Sequence, residues 1–122
     1  SHEFHLSSDD ISREKAQQGN IVVDGKLSIR MLKGLYDFSV WVKAPLEIRV
    51  QRISGRDRSH IKEAEKMLKE KETLEVKNWK RIYGFNYLDQ EKEADLVINT
   101  AKKKPEEIVE IIIKEMKKRG IV

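Results

Sequence analysis

The sequence predicts an α/β domain built on a parallel sheet with helices packed against it. Three observations carry this reading. The runs Ile21-Val22-Val23, Phe38-Ser39-Val40-Trp41-Val42 and Leu96-Val97-Ile98 are rich in β-branched and aromatic residues and end at turn-forming residues. They are apolar in near-continuous stretches rather than alternating, which is the pattern of strands covered on both faces. Helical patterns separate them in the order α, β, α, β, α, α, β, α, so the strands are joined by crossovers and run parallel.

Each element has its own signals. Ile11 to Gln18 reads as a short helix, with N-cap candidates between Ser7 and Asp10 and a stop at Gly19-Asn20. Ile21-Val22-Val23 follows as the first strand and ends at Asp24-Gly25. Leu27 to Lys33 is a helix closed by Gly34. Pro45 opens the next helix in its first turn, where a missing N–H costs nothing. That helix runs through Leu46, Val50 and Ile53 to about Ser54-Gly55. A long helix spans Ile61 to Ile82 and stops at Gly84. Asn86 to Glu93 is polar and reads as a surface loop. Pro105-Glu106-Glu107 opens the last helix, and Lys117-Lys118-Arg119 closes it before Gly120, with both charge sets complementing the helix dipole. Ser1, His2, Glu3 and Phe4 read as a remnant of cloning, which leaves residues 5–122 as one domain.

Composition narrows the function classes. The chain has 122 residues, 39% hydrophobic and 38% charged. The charge load is well above the usual quarter, so many helix positions are solvated Lys and Glu, a balance that also suits a heat-adapted protein. Its 25 basic and 21 acidic residues give a net charge of +4. That permits anionic ligands such as nucleotides, while the mixing of signs argues against a nucleic-acid surface. There is no cysteine, which excludes disulfides and thiolate chemistry and fits a cytoplasmic location. No apolar run approaches the about 18 residues of a membrane span. The three histidines are isolated, so no metal or general-base role is assigned to them.

Two groups of residues stand out for chemistry. Arg49, Arg52 and Arg56 are spaced i, i+3, i+7 on the helix after Pro45, and Arg58 follows closely. Guanidinium groups crowded in this way call for anions, and their planar fork matches phosphate oxygens. Glu47 and Asp57 offer the alternative of local ion pairing. On the long helix, Ala64, Met67, Leu68, Leu74 and Ile82 share one face, and Lys71 and Asn78 interrupt it. Either that stripe is partly open to a ligand cleft or these two side chains reach past it to water. Asp24-Gly25 stands at the carboxyl end of a strand, the ligand-facing end of an open α/β sheet, although Asp-Gly is also a common turn. Trp41 reads as core and Trp79 as half-buried.

In order, these pieces resemble the archaeal-type cytidylate kinases, which are P-loop nucleoside-monophosphate kinases. Val22-Val23-Asp24-Gly25-Lys26-Leu27 is similar to the family's substrate-binding turn. Ala44 to Ile53 resembles the helix leading into its lid, which would occupy about residues 54–82. Tyr83-Gly84-Phe85 followed by Ala94-Asp95-Leu96-Val97-Ile98-Asn99-Thr100 resembles the family's ending. The resemblance covers about Gly19 to Gly120 and implies a three-layer P-loop NTPase-like fold. It also implies ATP-dependent phosphorylation of CMP or dCMP with Mg2+. It places Arg49, Arg52, Arg56 and Arg58 on nucleotide phosphates and adenine. Arg52, Arg56 and Lys71 would be catalytic, and Asp24, Gly25, Lys26 and Asn78 would lie on the substrate side.

The sequence departs from the family in three ways. No Gly-x-x-Gly-x-Gly-Lys/Thr loop occurs in these residues, so the first strand and its phosphate cradle are missing from the expected sheet. An expected substrate-side arginine appears as Lys26, and two expected on the long helix appear as Lys71 and Asn78. The reading is therefore a cytidylate kinase-like chain that is inactive alone, with self-association or a strand-filling partner at the exposed sheet edge. The alternatives are a non-catalytic nucleotide- or phosphate-binding module on the four arginines and a protein-interaction module on the Lys-rich helices.

Overall fold

A computed structural model describes residues 11, 17–58 and 60–122, with Asp57 described by its backbone only. The expected helix Ile11 to Gln18 lies for the most part outside the described residues. Two of the three expected strands form. β1 (Val40–Lys43) and β2 (Leu96–Asn99) make a parallel pair in the register Val40↔Leu96 to Lys43↔Asn99. β1 starts two residues later than the apolar run because Asp95 intercepts the chain there. Its Oδ2 accepts from the Ser39 N–H at 2.8 Å and from the Ser39 hydroxyl at 3.0 Å.

The third strand is a correction. Ile21, Val22 and Val23 carry no regular structure, and Val22 is 94% exposed. A strand exists through its hydrogen-bonded neighbour, and among the described residues β1 pairs only with β2. High β-propensity in three residues does not substitute for a partner. The described sheet therefore has two strands, not a layer of three.

The helices form largely where their signals lie. α1 (Ser28–Met31) is a single turn, shorter than the Leu27 to Lys33 pattern, and Leu35 N–H bonds Leu32 O at 2.9 Å to turn the chain at Gly34. α2 (Leu46–Asp57) runs past Ser54-Gly55, because the glycine stays helical and the stop falls at Arg58, which takes the left-handed conformation at φ 53°. α3 (Ile61–Tyr83) ends at Gly84 with φ 83°, where the Gly84 N–H reaches Lys80 O at 2.8 Å. α4 (Pro105–Lys118) has Pro105 in its first turn, and Glu107 Oε1 accepts from the Lys104 N–H at 3.4 Å.

The expected loop before β2 is instead a 3-10 helix, η1 (Tyr87–Glu93), capped by Asn86 Oδ1 accepting from the Leu88 N–H. Its inward residues, Tyr87 and Gln90, are three apart, the 3-10 repeat. A polar stretch misleads here because the buried residue is itself polar: Gln90 is 0% exposed. Its Nε2 donates to Lys26 O at 2.7 Å and Tyr87 O at 2.8 Å, and its Oε1 accepts from the Arg30 N–H at 2.9 Å.

Apolar burial is concentrated where α2 crosses α3. Val50, Ala64 and Leu68 are buried there, with Leu46 and Ile53 packed around them. α1 and η1 pack together, and Ile29, Leu32 and Tyr87 are buried. Trp41 is only half-buried, not core. No helix among the described residues is long and apolar enough to cross a membrane. Because Gln90 satisfies three backbone groups in a closed space, Gln90→Leu is expected to destabilise the fold by about 2–4 kcal/mol. Urea denaturation of the two proteins checks this.

Candidate functional site

The site is built on the middle of α3. Along that helix Ala64, Leu68, Glu72, Glu75 and Trp79 follow a helical repeat and turn toward the rest of the chain. Of the face read from the sequence, Ala64 and Leu68 are buried on this side, while Met67, Lys71, Leu74 and Asn78 lie roughly a quarter-turn away at about 100° per residue. Those four residues are exposed, Met67 at 61% and Leu74 at 56%. They line an open groove of about 500 Å³ together with Glu70, Glu75 and Trp79. The stripe that contains Lys71 and Asn78 is thus a groove wall and not a buried seam, so the two polar side chains there carry no burial cost.

Lys26 reaches this groove from the turn before α1. The turn is closed by the Ser28 N–H on Gly25 O at 3.3 Å, and Asp24, Gly25 and Lys26 are exposed on it. The Lys26 carbonyl is held by Gln90, which fixes where its side chain starts. Its ammonium donates to both oxygens of Glu75, at 2.9 and 2.8 Å, and sits 5.9 Å from the centre of the Trp79 ring. Of the sequence-selected residues, Lys71 and Asn78 line the groove, and Lys26 is linked to it through Glu75.

The four arginines take different surroundings. Arg49 bonds Glu72 of α3 through Nη1 and the Ala44 carbonyl through Nε at 3.0 Å. Arg52 donates to Thr100 Oγ1 at 2.8 Å and Thr100 O at 2.7 Å. That contact sits just past the carboxyl end of β2, the side on which parallel sheets bind ligands. Arg56 is exposed near the end of α2, and Arg58 is its exposed cap. The first two guanidinium groups fasten α2 to its neighbours.

Sequence reasoning missed Glu72, Glu75 and Tyr87. Glu72 and Glu75 are three apart on one side of α3 and each holds a cation from another element. Their spacing from Ala64 and Leu68 was the available signal, masked by the abundance of Glu and Lys. Tyr87 stacks edge-on against Trp79 with ring centres 5.0 Å apart. Its phenol is pushed above its ordinary value of 10.0, first by burial and then by the Glu75 and Glu72 carboxylates, with Arg49 opposing. Tyr87 thus stays neutral at physiological pH and is no candidate base. Among the described residues no group of three or more His, Cys, Asp or Glu could hold a metal ion.

The raised Tyr87 value has a sign. The folded state holds the proton more tightly, so this contribution is complete below pH 10 and is lost as pH rises through the folded value. The wild type is expected to lose more stability than Tyr87→Phe between about pH 9.5 and 11. Denaturation midpoints measured across that range test it.

Against known proteins, the model of the cytidylate kinase-like family matches residues 1–102. The cytidylate kinase of Methanocaldococcus jannaschii is 41% identical over 102 residues, covering 81% of this chain and 57% of that protein. That of Methanopyrus kandleri is 30% identical over 119 residues, covering 90% and 61%. That of Pyrococcus horikoshii is 33% identical over 99 residues, covering 81% and 50%. The chain spans about half to three-fifths of the length of these curated relatives. No solved structure matches it. The match carries the motifs around Asp24-Gly25, α2 and Tyr83-Gly84, and with it this chain belongs to the cytidylate kinase-like family.

Proposed function

We propose that this chain forms the substrate and lid side of a site for ATP-dependent phosphoryl transfer to CMP or dCMP. The single observation that supports this most is that Lys71 and Asn78 line the α3 groove while Lys26 is bonded to Glu75, another of its lining residues. In this reading Asp24, Gly25, Lys26 and Asn78 contact the nucleoside monophosphate. Lys71, Arg52 and Arg56 supply positive charge around the transferring phosphoryl group. Arg49 and Arg58 flank the nucleotide phosphates. Phosphoryl transfer needs little covalent help from the protein and depends on positioning and charge, which these side chains provide. The described carboxylates form no metal cluster, so Mg2+ would arrive with the nucleotide phosphates and no step is assigned to it.

The 122 residues contain no Gly-rich phosphate loop of the kind that cradles nucleotide phosphates with backbone N–H groups. The isolated chain is therefore expected to bind CMP but not to turn it over. A coupled assay with ATP and CMP should stay at background. Lys71→Met should weaken CMP binding about tenfold, the order of one charge-assisted contact. It should leave the denaturation midpoint unchanged, because Lys71 is exposed. Turnover by the wild-type chain, or a Lys71→Met affinity equal to wild type in calorimetry, would refute this reading.

The same reading includes a P-loop NTPase-like three-layer sheet in which β1 is flanked on both sides. Among the described residues its second edge is unpaired, Val42 is 55% exposed, and the one charge in the strand, Lys43, is paired with Glu91. The edge of one copy is suited to pair with that of another, which is the association expected from the sequence. Sedimentation should show a concentration-dependent dimer that Val42→Lys disperses. A wild type that stays monomeric at high concentration counts against it.

A further inference from the structure

The cations of the site differ in how firmly they are held. Arg49 is fixed twice, by Glu72 and by the Ala44 carbonyl. Lys26 gives both of its ammonium hydrogen bonds to a single carboxylate, that of Glu75. The two partners are also unlike in exposure, with the Lys26 side chain 51% exposed and that of Glu75 15%. Glu75 is seated in the helix wall, while the lysine stem can swing from a backbone that Gln90 pins in place. Among the groove's lining residues Glu70 and Glu75 outnumber Lys71, and Lys26, paired to Glu75 from outside the lining, only brings the charge to zero, so no net positive charge is left to attract an anion.

From this we propose that Glu75 is the internal counter-ion of Lys26 and sets the anion affinity of the α3 groove. A phosphate monoester binds there in competition with this carboxylate. The inference rests on the proposed function for the identity of the ligand and adds a residue that neither the family motifs nor the sequence pattern singled out. The physics is an exchange of partners. An exposed ion pair is weak because water already solvates both charges. A phosphate dianion offers the ammonium three acceptor oxygens and more charge than one carboxylate. To take the ammonium it must break the Lys26–Glu75 contact and then sit beside the freed carboxylate. Removing the carboxylate charge removes both penalties.

The test is isothermal titration of the full 122-residue chain with inorganic phosphate, CMP and cytidine at pH 7.5 and fixed ionic strength. Glu75→Gln keeps an acceptor for the ammonium and nearly the same shape, and its circular dichroism should match the wild type. It is expected to tighten phosphate and CMP alike by about five- to tenfold, equivalent to roughly 1–1.4 kcal/mol. Cytidine, which lacks the phosphate, should be unaffected. On a Lys26→Met background the Glu75→Gln change should tighten phosphate and CMP by less than it does in the wild type, because only the repulsion by the carboxylate is then relieved; an equal gain on both backgrounds overturns the proposal. Equal or weaker phosphate and CMP binding by Glu75→Gln overturns the proposal and leaves the proposed function standing. Tightening of cytidine also overturns it, by placing Glu75 against the base. Absence of binding for all three ligands in both proteins overturns this proposal together with the proposed function.

Discussion

The carboxamide of Gln90 has both of its polar atoms engaged and no exposed surface. It joins three backbone groups from two segments, Lys26 O and Arg30 N on the α1 side and Tyr87 O in η1. A buried amide in this position is a constraint of shape as well as of energy, because any displacement leaves a donor or acceptor without a partner. Much of the site follows from it. With the carbonyl of Lys26 fixed, the lysine side chain starts within reach of Glu75. With Tyr87 fixed, its ring closes against Trp79 from the other side. Arg30, whose N–H is bound here, turns its guanidinium to Glu93 at 3.0 Å and over the Phe85 ring at 4.4 Å. Those contacts tie the end of α3 to the start of β2.

The charged residues are sorted by this frame and are not simply a solvated coat. Individually the ion pairs stabilise little, since most are half exposed and screened by water and salt. Their effect is to fix which cations are committed. Glu72 and Glu75 point the same way from α3 and draw Arg49 from α2 and Lys26 from the α1 turn. Both carboxylates also hold the Tyr87 phenol in its neutral form. Asp95 does similar work at the sheet, accepting from Ser39 and pairing with Arg119 at 3.5 Å, so one carboxylate both starts β1 and receives the end of α4. Lys71 and Asn78 stand outside these pairings on the groove wall.

What could be read in the sequence was whatever depends on local rules. β1, β2, α2, α3 and α4 were legible because apolar runs, Pro45, Pro105 and Gly84 act within a few residues of themselves. The order of motifs that gave the family resemblance was legible for the same reason, and the family match bears it out. The rest depended on partners. Ile21-Val22-Val23 has the composition of a strand but no neighbour to bond. η1 hides its buried side behind a glutamine, a residue that polarity rules assign to the surface. The face of α3 was legible in part: Ala64 and Leu68 are buried and Ile82 half-buried, but Met67 and Leu74 look like core and are exposed, while Glu72 and Glu75 look solvent-facing and turn toward other elements. Only tertiary contact with Arg49 and Lys26 decides between them.

Parallel strand pairs are stable when both faces and both edges are covered, since each strand then satisfies its backbone on two sides and its side chains above and below. Here, among the described residues, β1 is bonded on one side only, Val42 and Val97 are 55% and 40% exposed, and α4 contributes no buried residue. Arg119 ties the end of α4 to the start of the sheet, bonding Asp95 O at 3.0 Å and lying over Phe38 at 5.2 Å, while Ile108, Ile111, Ile112 and Met116 of the helix are half-buried. The better buried half of the molecule is the other one, where α2, α3, α1 and η1 meet. The groove residues and most of the committed cations belong to that half. The helix that would contact a nucleotide thus belongs to the half with the firmer packing, while the sheet that usually anchors such a site buries only Ile98 of its strand residues. In this chain the site's geometry therefore rests on helix packing and one buried amide, and the strands contribute chiefly by placing Thr100 where Arg52 can reach it.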